Sequence, residues 1–474
     1  MLKYTLFLVF FICFIHVSDL DAQLKEDEKE TDPLVLKKLE WFQDSKFGLM
    51  MHWGTYSQWG IVESWSLCSE DEPWCRRKID DYDEYKRQYT ALKNTFNPVK
   101  FNPEKWAAAA KEAGMKYVVF TTKHHDGFSM FDTKQTDYKI TDTDCPFHSN
   151  SRANVTKEIF EAFRKEGFGT GAYFSKPDWN SEYYWWPRFA TPDRNVNYDP
   201  KKYPERWEKF KDFTYKQIEE LMTGYGKVDI LWFDGGWVRP KETVDNIESK
   251  RVVDPYDQDI DMPKIAEMAR EHQPGLIIVD RTVTGKYENY RTPEQHVPDK
   301  PLNYPWETCM TMASSWSFVP GDRYKPARRL IHLLVDIVAK GGNFLLNVGP
   351  DPNGEWAPDA YNRLKEIGSW MKVNGEAIYS TNPVAPYKET KICFTSKKDG
   401  TVYALYLADK EEKNPPSKIM LYSHCPEKGG KITMLGVEKE VKWEKVGEGV
   451  LIYVPDAAQK EPPCKYAWTF KIEK

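Results

Sequence analysis

Hydrophobic positions along the chain fall into two textures. Between residues 47 and 373, short and nearly continuous apolar runs alternate with stretches whose apolar residues recur at helical spacing. The runs at 47–52, 117–121, 169–174, 228–233, 276–279 and 343–348 read as strands buried on both faces. The stretches at 105–113, 156–166, 204–223, 262–272, 327–339 and 358–373 read as amphipathic helices, the first of them stopped by Gly114. Strands that alternate with helices predict a parallel sheet covered by helices. About eight such units over roughly 330 residues predict a closed (β/α)8 TIM-like barrel with insertions rather than an open sheet. After residue 380 the texture changes. The runs TVYALYL, KIMLYS, KITMLG and VLIYVP alternate polar and apolar positions between Lys, Gly and Pro turns, with no helical period. This predicts a barrel over 23–380 and a C-terminal antiparallel β-sandwich over 381–474.

The first 22 residues stand apart from both textures. Lys3 precedes an apolar stretch from Tyr4 to Val17, and Ala22 offers a small residue for cleavage, so residues 1–22 read as a signal peptide and the protein as exported. The apolar stretch is too short to span a bilayer comfortably, and no stable membrane insertion is expected. Without Cys13, seven cysteines remain, and Cys68 and Cys75, which flank the acidic loop CSEDEPWC, make the best local disulfide candidate.

Composition narrows the chemistry. The 474 residues carry a net charge of −5, with 41% hydrophobic and 29% charged positions, as in ordinary globular proteins. An acidic balance argues against a nucleic-acid partner. CxxC, GxGxxG and Walker loops are all missing, so neither a structural zinc nor a nucleotide cofactor is expected. The unusual feature is an aromatic content of 15%, including 18 Trp, which suits a pocket that stacks rings against a polar, ring-shaped ligand.

In a barrel of this kind the functional groups lie beyond the C-terminal ends of the strands. Those ends read His52-Trp53-Gly54, Lys123-His124-His125-Asp126, Tyr173-Phe174-Ser175, Trp232-Phe233-Asp234-Gly235 and Asp280-Arg281, with Glu294 on the loop beyond. Taken singly, a strand-end His is often structural, an Asp before Gly-Gly can open a turn, and a Glu after Pro suits a helix start. Their convergence on one rim points to a site for a neutral polyhydroxylated ring. Two chemistries compete for it. A metal-dependent hydrolase would use His52, His124, His125 and Asp234 as ligands, although the HxH spacing that puts two ligands on one strand face is absent. A glycoside hydrolase would use Asp234 and Glu294 as a carboxylate pair. The second fits better.

The segments KFGLMMHWG, TTKHHDGFSMFDT, GAYFS, ILWFDGGW, WETCMTM and LVDIVAKGGNFLLNVGPDPNG, in this order, resemble the glycoside hydrolase family 29 α-L-fucosidases. The resemblance implies a retaining exo-hydrolase that removes terminal α-L-fucose from fucosylated glycans, without cofactor or metal. By the same resemblance Asp234 is the nucleophile. His52, His124, His125, Tyr173 and Trp232 contact fucose, and Arg281 orients a carboxylate. Glu294 is the acid/base by its local context, with Glu288 and Glu307 as rivals. The family's Glu-Trp pair occurs here as Glu63-Ser64-Trp65, with a serine inserted. A non-catalytic fucose-binding lectin is a further alternative. The segment 69–81 and the aromatic loop 179–189 are candidates for the rim that meets the rest of the glycan, or equally for buried packing.

Overall fold

A computed structural model describes residues 30–473 apart from 69–74, 76, 78, 192, 244–255, 282–284 and 428. The proposed signal peptide and most of the segment 69–81 lie outside the described residues. The barrel strands are β1 (Phe47–Met51), β2 (Tyr117–Lys123), β3 (Gly169–Ser175), β4 (Ile230–Asp234), β5 (Ile277–Ile278), β6 (Glu307–Thr311) and β7 (Asn343–Val348). They form one parallel sheet in the order β5-β4-β3-β2-β1-β7-β6. β1 to β3 and β7 are buried along their whole length, which is why they read as apolar runs.

Seven named strands leave a gap between β5 and β6, and an irregular segment fills it. Tyr290 pairs in parallel with Val279, Arg291 with Trp306 and Glu294 with Cys309. Backbone hydrogen bonds from Asn289 N to Ile278 O and from Glu307 N to Arg291 O tie this stave to both neighbours. The curled sheet is thereby closed into a TIM-like barrel, with its eighth position held by isolated bridges instead of a regular ladder. Outside lie α3 (Pro103–Glu112), α4 (Val155–Lys165), α5 (Pro204–Gly224), α6 (Met262–His272), α7 (Ala327–Ala339) and α8 (Pro358–Asn374).

Two helices, α1 (Pro33–Ser45) and α2 (Tyr82–Thr90), lie outside the stretches read as helical from periodicity. α1 starts at a capping Asp32, whose carboxylate accepts from Leu34 N at 2.8 Å. It lies across the N-terminal mouth of the barrel, where Phe42 meets the rings of Tyr117 and Tyr290.

The C-terminal part is built from two antiparallel sheets. One orders β12 (Lys431–Met434), β15 (Ala467–Glu473), β10 (Val402–Leu407), β9 (Ile392–Ser396) and β8 (Asn382–Glu389). The other orders β11 (Lys418–Leu421), β14 (Gly449–Tyr453) and β13 (Lys442–Val446). Their inward faces share a core that includes Phe394, Ile432, Ile452, Trp468 and Phe470. One short helix, α9 (Asp456–Lys460), interrupts a region read as free of helix. The Trp370 indole N–H of α8 donates to Ala467 O at 2.9 Å and joins this part to the barrel.

Candidate active site

Parallel strands deliver their last residues to one rim, and alternation along each strand selects which of them line the interior. On β4, Trp232 and Asp234 share a face, and their register partners on β3 are Tyr173 and Ser175. Four of the side chains named from sequence meet here directly. The Tyr173 hydroxyl donates to Asp234 Oδ2 at 2.6 Å, and Arg281 donates from one Nη to Asp234 Oδ1 at 2.7 Å. The other Nη of Arg281 donates to Glu294 Oε2, also at 2.7 Å. A single guanidinium therefore joins the two carboxylates. The Gly235 backbone N–H adds a third donor to Asp234 at 2.7 Å. Burial opposes the charge on Asp234, but the Arg281 guanidinium and the Tyr173 hydroxyl outweigh it and hold the carboxyl well below the usual range. Asp234 is thus ionised at any working pH. Its side chain is 15% exposed and that of Glu294 45%, so one carboxylate sits in the pocket and the other at its open side.

The three histidines line the same pocket and are buried. His52 Nδ1 lies 2.8 Å from Asn347 Oδ1, His124 Nδ1 2.6 Å from Ser64 Oγ, and His125 Nδ1 2.5 Å from Ser175 Oγ. Burial lowers all three pKa values, to about 4 for His52 and about 3 for His125, with His124 also well below the ordinary value. Neutral rings are the consequence. Ser175 Oγ donates to Pro177 O at 3.0 Å, so His125 Nδ1 carries the proton in their mutual bond. The lone pair of His125 Nε2 then faces Asp234 Oδ2 across 3.7 Å. Two acceptors at that separation form a receptor for a hydroxyl proton.

Glu63 and Trp65 also reach the site. Glu63 is 2% exposed, and its Oε2 has no hydrogen-bond partner. Burial, then the charges of Glu294 and Asp234, push its pKa up to about 8. Trp65 packs its ring against His125, Trp179 and Trp237 at 5.1, 5.4 and 6.0 Å. The serine inserted between them works within the site: Ser64 Oγ meets His124 and also accepts from Asp126 N at 3.0 Å.

The rival carboxylates have other surroundings. Glu307 is fully buried at the start of β6, where it accepts from Trp232 Nε1 at 3.1 Å and from the Tyr117 hydroxyl. Burial raises Glu288 to about 7, and its main neighbouring charges are Asp280, Arg239, Arg291 and Lys176. In the aromatic loop, Trp179, Tyr184 and Trp185 are buried, and Trp179 stacks on Trp185 at 5.1 Å while its ring also lies 5.1 Å from that of His125, so Tyr184 and Trp185 pack and Trp179 backs the site.

Sequence reasoning gave no role to Ser64 and Ser175, which it named only as an insertion and a strand end, and passed over Asn347 and Trp316, whose ring stands 5.1 Å from His52. Asn347 and Ser175 left a signal, each as a polar residue at or near the end of an apolar strand run. The donor set does not suit a resident metal. His124, His125 and Asp234 have ligand atoms within 4.8 Å of one another. Yet Asp234 already accepts from Tyr173, Arg281 and Gly235 N, and a cation there would face the Arg281 guanidinium.

A strand-end pair of carboxylates bridged by arginine, in a pocket of neutral histidines and aromatic rings, defines a glycoside hydrolase of the barrel class. The α-L-fucosidase family model matches residues 15–376 and the α-L-fucosidase C-terminal domain matches residues 387–473, and the chain belongs to this family. It is 29% identical to tissue α-L-fucosidase of Mus musculus over 92% of this chain and 91% of that protein. It is 26% identical to plasma α-L-fucosidase of Homo sapiens over 91% and 89%. Among solved structures, α-L-fucosidase isoenzyme 1 from Paenibacillus thiaminolyticus superposes with a TM-score of 0.74 at 29% identity, over 93% of this chain and 99% of that one. Thermotoga maritima α-fucosidase in complex with a mechanism-based inhibitor gives 0.70 at 26% identity, over 94% and 100%.

Proposed function

We propose that this retaining α-L-fucosidase works by double displacement, with Asp234 as nucleophile and Glu294 as acid/base. The observation that carries the reading is the Arg281 bridge between them. Asp234 attacks C1 of a terminal α-L-fucoside while Glu294, on the open side, protonates the aglycone oxygen. The bond from C1 to that oxygen breaks, and a β-fucosyl ester forms on Asp234. Glu294 then takes a proton from water, which attacks C1, frees Asp234 and releases fucose with retained configuration. Charge develops at C1 in both transition states, and an ionised Asp234 with three fixed donors stabilises it without reorganisation.

Neutral His52, His124 and His125 offer ring nitrogens to fucose hydroxyls, and the gap between His125 Nε2 and Asp234 Oδ2 suits the hydroxyl next to the anomeric carbon. Trp232, Tyr173 and Trp65 supply ring faces, and Glu63, carrying its proton near neutral pH, can donate to a further hydroxyl. Residues 1–22 direct export in this reading, supported by Lys3, the apolar stretch and Ala22 and by the likeness to a plasma fucosidase. Residues 23–380 then form the catalytic body and 381–474 the sandwich.

Chemical rescue tests the assignment. Asp234→Gly is expected to lose nearly all turnover of an aryl α-L-fucoside and to regain it with azide, yielding the β-fucosyl azide. Unchanged activity in the variant, or rescue that yields the α-azide, would overturn it.

A further inference from the structure

We infer that Glu307, at the floor of the barrel, is a positioning residue that sets the geometry of Asp234 through the indole of Trp232. The inference rests on Asp234 as nucleophile, a reading that azide rescue tests separately.

Glu307 opens β6 and is fully buried. Its two oxygens are spoken for separately. Oε1 accepts from Trp232 Nε1 at 3.1 Å and Oε2 from the hydroxyl of Tyr117. Room for the Tyr117 ring comes from Gly48 on β1, where an added Cβ would stand 2.4 Å from that ring. Asn343 Nδ2 approaches the same hydroxyl at 3.5 Å and donates to Phe42 O at 2.7 Å, so the floor is tied to the helix that covers it. Trp232 is thereby pinned by its N–H, and its ring has against it both side chains that donate to Asp234. Tyr173, from the neighbouring β3, stacks at 5.3 Å with an interplanar angle of 17°. Arg281, from beyond β5 on the other side, places its guanidinium carbon 4.7 Å from the ring centroid. Tyr173 donates to Asp234 Oδ2 and Arg281 to Oδ1. The indole is thus a shelf between the two donors, and Glu307 fixes the shelf. A buried carboxylate with two neutral donors is costly where packing alone would suffice, and burial indeed raises its pKa to about 7. Its retention at this depth is accounted for by the orientation it imposes on the indole, since an apolar residue offers no acceptor to Trp232.

Two substitutions separate reach from charge. Glu307→Gln keeps the length and can turn its carbonyl oxygen to Trp232 Nε1 while its amide donates to Tyr117. Glu307→Asp keeps the charge but is one methylene too short to meet both donors. If Glu307 acts by placement, Gln is expected to stay within about threefold of wild-type kcat/KM. Asp is expected to lose about 10- to 100-fold, the loss that a misplacement on the order of 1 Å brings. In a Trp232→Phe background the Asp substitution is expected to cost nothing further in kcat/KM, because the link it breaks is already gone. Thermal melts of all four proteins establish that they are folded. The inference fails if Gln loses as much as Asp or more, if Asp retains wild-type kcat/KM, or if the Asp and Phe losses multiply in the double variant.

Discussion

Tyr173 concentrates several roles in one side chain. Its hydroxyl donates to Asp234, the proposed nucleophile, and its ring lies between Trp232 at 5.3 Å and His124 at 5.7 Å. A hydrogen bond to a charged group contributes about 1.5–3 kcal/mol, which is roughly 10- to 150-fold in rate when the charge is the attacking one. Tyr173→Phe is therefore expected to lower kcat/KM on an aryl fucoside by about 10- to 100-fold and to destabilise the fold by about 1–3 kcal/mol while leaving it folded at assay temperature. Equal kcat/KM for the two proteins would show that the bond is not used. Asp234, Arg281 and the histidines were legible in the sequence because each follows an apolar run, where a polar residue has no packing reason to be. Their partners were not. Asn347 meets His52 across 295 residues, Ser64 meets His124 across 60 and Ser175 meets His125 across 50. Asn347 and Ser175 stand at or near strand ends, but pairings at such separations carry no local pattern until the barrel closes.

At the scale of elements the weak place is the stave that carries Glu294. β5 has two residues, and the segment 290–295 is paired through isolated bridges. A side chain secures it: the Thr308 hydroxyl of β6 donates to Pro293 O at 2.7 Å and also contacts His296 O. Thr308→Val removes that donor at nearly constant volume and leaves Pro293 O without it. It is expected to destabilise the protein by about 1–2 kcal/mol and to lower kcat more than it raises KM, because Glu294, the proposed acid/base, loses its footing. Unchanged kcat and melting temperature would contradict this. The same features explain what periodicity failed to find. β6 reads Glu-Thr-Cys-Met-Thr, and 290–295 reads Tyr-Arg-Thr-Pro-Glu-Gln, both too polar to pass for barrel strands although β6 is buried throughout. The apolar staves β1, β2, β3, β4 and β7 were legible for the opposite reason.

The whole molecule stores its buried ionisable groups in a way that fixes a pH optimum of stability. Burial raises Glu63 to about 8 and Asp126, Glu288 and Glu307 to about 7. Above the unfolded values of 4.5 for Glu and 3.8 for Asp, the native state holds more protons than the unfolded one, so stability falls as pH rises toward 7–8. Buried His52, His124 and His125 act with the opposite sign: below 6.5 the unfolded state takes up protons that the native rings refuse, so stability falls as pH drops toward 4. Asp234 adds a loss below 3.8, where only the unfolded carboxyl is protonated. The melting temperature is expected to be highest between about pH 4.5 and 6.5 and to decline on both sides. A maximum above pH 8 in a series of thermal melts would contradict this balance. The aromatic surplus also resolves at this scale. Most of it is barrel and helix packing, and a smaller set formed by Trp65, Tyr173, Trp232, Trp237 and Trp316 surrounds the carboxylates.

The central claim is that Asp234 becomes covalently fucosylated. The most direct measurement is to trap the enzyme with 2-deoxy-2-fluoro-fucosyl fluoride, digest it and locate the added mass. The account predicts one fluorofucosyl group, carried by the peptide that contains Asp234, with time-dependent loss of activity in step with labelling. A label on Glu294, Glu63 or any other residue, or inactivation without a covalent adduct, would contradict it.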